Sequence, residues 1–199
     1  MVFTHDTEES LQAAVVLVNA GEPPVTIGTV ADLDAFFAGQ GYTGRHDGTQ
    51  AELEEVLALQ PRLRELLTAD RDAAVALVND MLSAAGAVPQ LVRHPPADWH
   101  IHAVPSDAPL ATRILVETAM AMIDLIRDDE LSRLAVCADD DCQGIVLDLS
   151  RNRSRRYCST TCSNRNAQAA HRARRADQAS SVSAVSSSAV SSSAVSSTA

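Results

Sequence analysis

Cys137, Cys142, Cys158 and Cys162 are the only cysteines in a chain of 199 residues, and they fall within 26 positions as C-x4-C, fifteen residues, then C-x3-C. Thiolates are soft ligands, and zinc takes four of them in a tetrahedron when two close pairs converge across a short connection. A disulfide framework would distribute its cysteines through a small secreted domain, whereas 173 residues here have none. Two other readings must be weighed. Four reduced, buried thiols would need no metal. A redox or nucleophilic cysteine would need a partner, yet neither pair is C-x-x-C and no His/Asn arrangement accompanies them. The expectation is one structural zinc ion held by the four cysteines. Four thiolates close the coordination sphere and leave no position for an activated water, so no catalytic residue is assigned and no enzyme is expected. His171, nine positions beyond Cys162, is read as a surface residue.

Two close cysteine pairs separated by a short hairpin can converge on one ion. Gly144 to Leu149 alternates as a strand, Ser150-Arg151-Asn152-Arg153-Ser154 supplies a turn, and Arg155-Arg156-Tyr157 would return as the second strand. The last cysteine pair then opens a helix, capped at Ser159 or Thr160 and extending to about Ala176. A knuckle, a hairpin and a helix carrying the second pair make a treble-clef-like zinc module. Its surface is basic. Arg151, Arg153, Arg155 and Arg156 lie on the hairpin. Arg165, Gln168, Arg172 and Arg175 recur at i, i+3, i+7 and i+10, sharing one helix face, while Ala169, Ala173 and Ala176 share another. Planar guanidinium forks suit phosphates and guanine edges.

The net charge of −10 conceals two opposite halves. Residues 1–130 hold 7 Arg against 21 acidic groups, a net of −14, and residues 131–199 hold 9 Arg against 5, a net of +4. Between Leu149 and Ala176 stand 8 Arg and no acid. A solvated helix end is the bland reading of a charge run, but recognition depends on local field, and a dense cationic patch beside a zinc module favours a polyanion.

The first 130 residues read as mostly helical. Thr7 or Asp6 is expected to cap a helix with Leu11, Ala14, Val15 and Val18 inward, stopping near Asn19-Ala20-Gly21. Thr29 with Asp32, and Thr49 with Glu52, are capping-box patterns opening helices that bury Leu33, Phe36 and Phe37, and Leu53, Val56 and Leu57. Pro61 must kink or break the second of these. A helix from about Asp70, with Ala74, Val75, Val78, Met81 and Leu82 at helical spacing, stops at Gly86. Gln90 to Arg93 and Trp99 to Val104 read as strands joined by His94-Pro95-Pro96-Ala97-Asp98. On such a strand His100 and His102 share a face. Together with His94 they form the only histidine cluster, read as satisfied or solvent-facing histidines, with a ligand pocket or second metal site as the alternative. Ser106 is expected to cap a long, central helix from Ala108 to about Glu130.

From Ser180 the sequence is a five-residue repeat, AVSSS, AVSSS, AVSST, uncharged after Asp177, which cannot offset its ordering entropy by burial. Three regions result: an acidic helical domain (1–130), a zinc module (131–178) with its own core, and a disordered tail (179–199). The fold class is mainly α. No apolar run approaches a membrane span and the first ten residues are acidic, so a cytoplasmic protein without membrane contact is expected.

The segment SRNRSRRYCSTTCSNRNAQAAHRAR resembles the signature of the CGNR zinc-finger family, bacterial proteins regarded as stress-induced transcription regulators. By position the resemblance makes Cys137, Cys142, Cys158 and Cys162 the zinc ligands and Cys162-Ser163-Asn164-Arg165 the motif, with Ser163 at the motif's glycine and Tyr157 where tryptophan is common. Upstream, Leu17-Val18-Asn19-Ala20 and Asp32-Leu33 to Phe37 resemble stretches of the ABATE domain that accompanies this finger.

A DNA-binding transcription regulator is the first expectation, with the zinc module gripping DNA and the N-terminal domain sensing a small-molecule signal or mediating homo-oligomeric assembly. The alternative is a protein-protein interaction adapter docking an acidic partner. RNA binding and enzymatic activity rank below both.

Overall fold

Thr29 accepts a hydrogen bond from the Asp32 N–H while the Asp32 carboxylate takes the Thr29 N–H, closing the capping box that the sequence promises. In the computed structural model, which describes residues 3–93 and 99–191 with side chains to residue 175, this box opens α2 (Val30–Gly39). It follows α1 (His5–Asn19) and precedes α3 (Gln50–Leu57), α4 (Gln60–Thr68) and α5 (Arg71–Ala84). Pro61 breaks the chain into α3 and α4, standing in the first turn of α4 where a missing N–H costs nothing. Thr49 caps α3 as expected, but the Glu52 carboxylate reaches further back, to the N–H groups of Asp47 and Gly48. Asp70 caps α5, and Gly86 stops the chain beyond it at φ +59°.

Two caps differ from expectation. Helix α1 starts at Thr4 because Thr7 lies inside the helix, buried, with its hydroxyl donating to Asp124 at 2.6 Å. The long helix α6 runs Leu110–Arg127 behind Pro109, and the Ser106 side chain does not cap it. Instead the Ser106 carbonyl accepts the Arg45 N–H at 2.9 Å. Helix α6 ends early because Asp129 turns left-handed at φ +57° and returns the Glu130 N–H to the Leu125 carbonyl.

Helix α6 is the central element. Leu110, Ile114, Val116, Ala119, Met122 and Leu125 are buried, and α1, α3 and α5 pack around it. The strands β1 (Gln90–Val92) and β2 (His100–His102) pair antiparallel with Leu91 opposite Ile101. The expected connection containing His94 lies outside the described residues.

The zinc segment departs most from expectation. Strand β4 (Ile145–Leu147) pairs antiparallel with β3 (Leu134–Val136), upstream of the first cysteine, and not with Arg155-Arg156-Tyr157. A three-residue return carrying two exposed arginines offers only Tyr157 for burial, outside the core, whereas β3 brings Leu134 against the core. Ile145 and Leu147 are buried in the same hydrophobic core as α1 to α6. The separate core expected for residues 131–178 is therefore shared, and one compact unit extends from the N-terminus through Cys158.

The second unit, from Ser159, is helix α7 (Thr160–Ser191). The backbone of this helix runs past the end expected near Ala176, to Ser191. No Gly or Pro follows Gly144, and the Ala/Ser/Val repeat contains no residue that forbids helical backbone. Residues 192–199 lie outside the described residues. Among the described residues no helix is long and apolar enough to cross a membrane.

Candidate metal centre

Cys137 follows β3 directly, and its N–H donates to the Gly144 carbonyl at 2.7 Å, carrying the ladder one step past β4. The chain then folds into a knuckle. The Cys142 N–H reaches the Asp139 carbonyl at 3.0 Å, and the Gly144 N–H donates to Cys142 Sγ at 3.3 Å. Cys158 is delivered by the segment after the Arg-rich turn, which lies beside the knuckle through the Ala138 N–H to the Arg156 carbonyl at 2.9 Å. Its own N–H donates to Cys137 Sγ at 3.4 Å. Cys162 stands in the first turn of α7, its N–H held by the Ser159 hydroxyl oxygen at 3.2 Å, as the expected cap requires.

The four Sγ atoms lie within 4.8 Å of one another, and none is in a disulfide. A tetrahedron with Zn–S bonds of ~2.3 Å has edges of about 3.8 Å, so the donor set fits zinc with small adjustments. A second observation supports the fit. A Cβ added to Gly144 would come within 2.8 Å of Cys158 Sγ and 3.3 Å of Cys142 Sγ. The backbone approaches the sulfurs more closely than any side chain permits. Burial pushes the Cys137 thiol up, but the N–H groups of Cys158 and Asp139 and the neighbouring thiols outweigh it and hold the group below the ordinary thiol range. N–H donors aimed at sulfur favour thiolate, the form that binds metal.

Gly144 is thus a site residue that the ligand spacing alone does not reveal. Its signal is the position itself, two residues after a cysteine. Ser163 needs no glycine's freedom, since it is helical, with its N–H on the Ser159 carbonyl at 3.2 Å.

Three side chains outside the cysteine segment hold the knuckle against the helical core. The Asn19 amide donates to the Ile145 carbonyl at 2.9 Å and accepts the Ile145 N–H at 2.6 Å, pairing with β4 as a neighbouring strand would. Arg64 donates to the Gln143 carbonyl at 2.7 Å and to Glu22 at 2.5 Å. Arg133, buried, donates to Glu130 and to the carbonyls of Asp148 and Ser150.

The expected nucleic-acid contacts fall in two groups. Arg151, Arg153, Arg155 and Arg156 are all exposed on the turn preceding Cys158. Arg153, at φ +48°, donates to Glu130 at 2.7 Å and to Ser132 at 3.2 Å. Arg155 folds back on the carbonyls of Tyr157 and Cys158, and Arg156 lies over the Tyr157 ring. Arg165, Gln168, Arg172 and Arg175 are exposed on α7, as are His171, Ala169 and Ala173.

A family model described as CGNR zinc finger matches residues 133–175. A second, ABATE, described as "putative stress-induced transcription regulator", matches residues 11–129. No curated protein matches the chain.

Proposed function

Because the chain belongs to the ABATE family and carries a CGNR zinc finger, we propose that it is a transcription regulator that binds DNA through its Arg-rich turn and the start of α7. The observation that carries this reading is the run of 8 Arg and no acid between Leu149 and Ala176, with the arginines of the turn and of α7 exposed. Guanidinium groups neutralise phosphates and release counterions, and a helix can present them to a groove. One zinc ion, held by Cys137, Cys142, Cys158 and Cys162, supplies structure; with four thiolates around it the centre performs no catalysis. Asn19, Arg64 and Arg133 fix the knuckle, and through it the turn. The acidic helical region receives the signal or mediates assembly, and the protein works in the cytoplasm.

The test is genome-wide crosslinking and sequencing on the tagged full chain. Enrichment at discrete sites, lost on combined Arg165→Ala and Arg172→Ala substitution with zinc content unchanged, supports the reading. Absence of enriched DNA together with capture of an acidic protein through the same arginines replaces it with the adapter.

A further inference from the structure

The β1–β2 hairpin has two unlike faces. Leu91, Trp99 and Ile101 are exposed, while His100 and His102 are half-buried on the other side. Their Nε2 atoms lie 2.9 Å apart, with the rings meeting edge to face at 4.8 Å between centroids. Across from them, on α6, the Glu117 carboxylate stands 3.5 Å from His102 Nδ1. We propose that His100 and His102 chelate a divalent late first-row transition cation such as nickel(II) or copper(II), with Glu117 as the positioning residue for His102.

Three features carry this. Imidazole nitrogens two residues apart on one strand meet at a common point, where a cation would displace the proton that the two Nε2 atoms share. Two nitrogens ~2.05 Å from one ion at about 90° are about 2.9 Å apart, whereas a tetrahedral angle opens them to about 3.4 Å. The observed separation suits the cis angle of square-planar or octahedral coordination, and nitrogen donors select against hard cations, which take oxygen. Finally, a carboxylate beside Nδ1 favours the His102 tautomer with its proton there, so that His102 Nε2 accepts the shared proton from His100 and, once a cation displaces that proton to solvent, ligates the cation instead. Carboxylates orient metal-bound histidines in this way.

The site is independent of both the cysteine centre and DNA binding, and the test separates it from them. Zinc-loaded full chain is dialysed against nickel(II) up to the millimolar range, with bound nickel and retained zinc measured together. The expected result is one nickel per chain in addition to the zinc, with the ring resonances of His100 and His102 broadened before those of His5, His46 and His171. His102→Ala should abolish it, and Glu117→Gln should weaken it by about 10- to 100-fold. His100→Gln keeps a polar chain of similar reach on the strand, so its loss of nickel with unchanged helical circular dichroism excludes simple unfolding. Nickel taken up only in exchange for zinc overturns the proposal. So does nickel binding that survives His102→Ala and His100→Gln, or no additional equivalent below millimolar nickel.

Discussion

At the scale of single residues the metal centre depends on groups that are not ligands. Gly144 has no room for a methyl group, so Gly144→Ala forces Cys158 Sγ or the knuckle to move. Overpacking of this kind costs ~1–3 kcal/mol, and we expect roughly a tenfold or greater loss of zinc affinity, measured by competition with a chelator, with all four thiols still present. Asp148 behaves differently. Its carboxylate accepts the N–H groups of Ser150 and Arg155 at 2.8 and 2.6 Å, fixing the Arg-rich turn. Burial raises the group, but these bonds, the Ser150 side chain and the Arg133 cation outweigh it and hold its pKa below the ordinary carboxylate range. A pKa depressed in the folded state contributes stability above the unfolded value, ~3.9, and loses it as pH falls through the folded value. Asp148→Asn should therefore lower the thermal midpoint near neutrality, and its deficit relative to the native chain should shrink below about pH 4. A deficit constant from neutrality to pH 3 would show that the charge contributes nothing.

At the scale of elements, Arg113 plays for the helical core the part that Arg133 plays for the turn. Buried on α6, it donates to the carbonyls of Thr43, Arg45 and Ala108, pinning the connection between α2 and α3. Gly44 sits in that connection at φ +82°, where a Cβ would collide with the Ser106 carbonyl oxygen. Arg113→Ala removes the donor from three carbonyls, and denaturant unfolding should report a loss of about 2–4 kcal/mol. What the sequence reveals of these elements follows a physical line. Thr29 with Asp32, Pro61 and Gly86 act on their own neighbours, so boundaries near them can be read from the chain. Thr7 and Ser106 have the chemistry of caps, but Asp124 and the Arg45 N–H lie 117 and 61 positions away. The clustering of the four cysteines is legible because a tetrahedral thiolate site demands two close pairs. The partner of β4 is not, because three-residue strands have no period to distinguish them and the choice falls to the core that Leu134 and Leu147 reach. Asn19 and Arg64 are invisible as site residues for the same reason, since each acts through a carbonyl more than 70 positions away.

At the scale of the whole molecule, family boundaries divide the chain near residue 130, but packing does not. Ile145 and Leu147 are buried with the helices, so a chain cut at Glu130 would lose part of its own core and cannot fairly test whether the acidic region binds DNA. Removing zinc from the intact chain is the sounder experiment. If the knuckle loosens and β4 withdraws, a loss of ~2 kcal/mol should lower the main helical transition by about 4–8 °C; an unchanged transition would restore two independent cores. The same coupling determines how the basic surface should be tested. If five or six of the arginines between Arg151 and Arg175 meet B-DNA, log K should fall against log salt with a slope of about −5, at ~0.9 per contact. Arg151→Ala and Arg156→Ala should each flatten that slope by about one unit and leave the thermal midpoint unmoved. Arg153→Ala should flatten it too, but also lower the midpoint, because the residue holds Glu130 and Ser132. If Arg165 and Arg172, one heptad apart on α7, read base edges, their loss should reduce discrimination by ~1–3 kcal/mol per bidentate contact more than it reduces overall affinity. A slope near zero in the native chain would remove phosphate contact from the account, and with it the assignment of the turn as a DNA-binding surface.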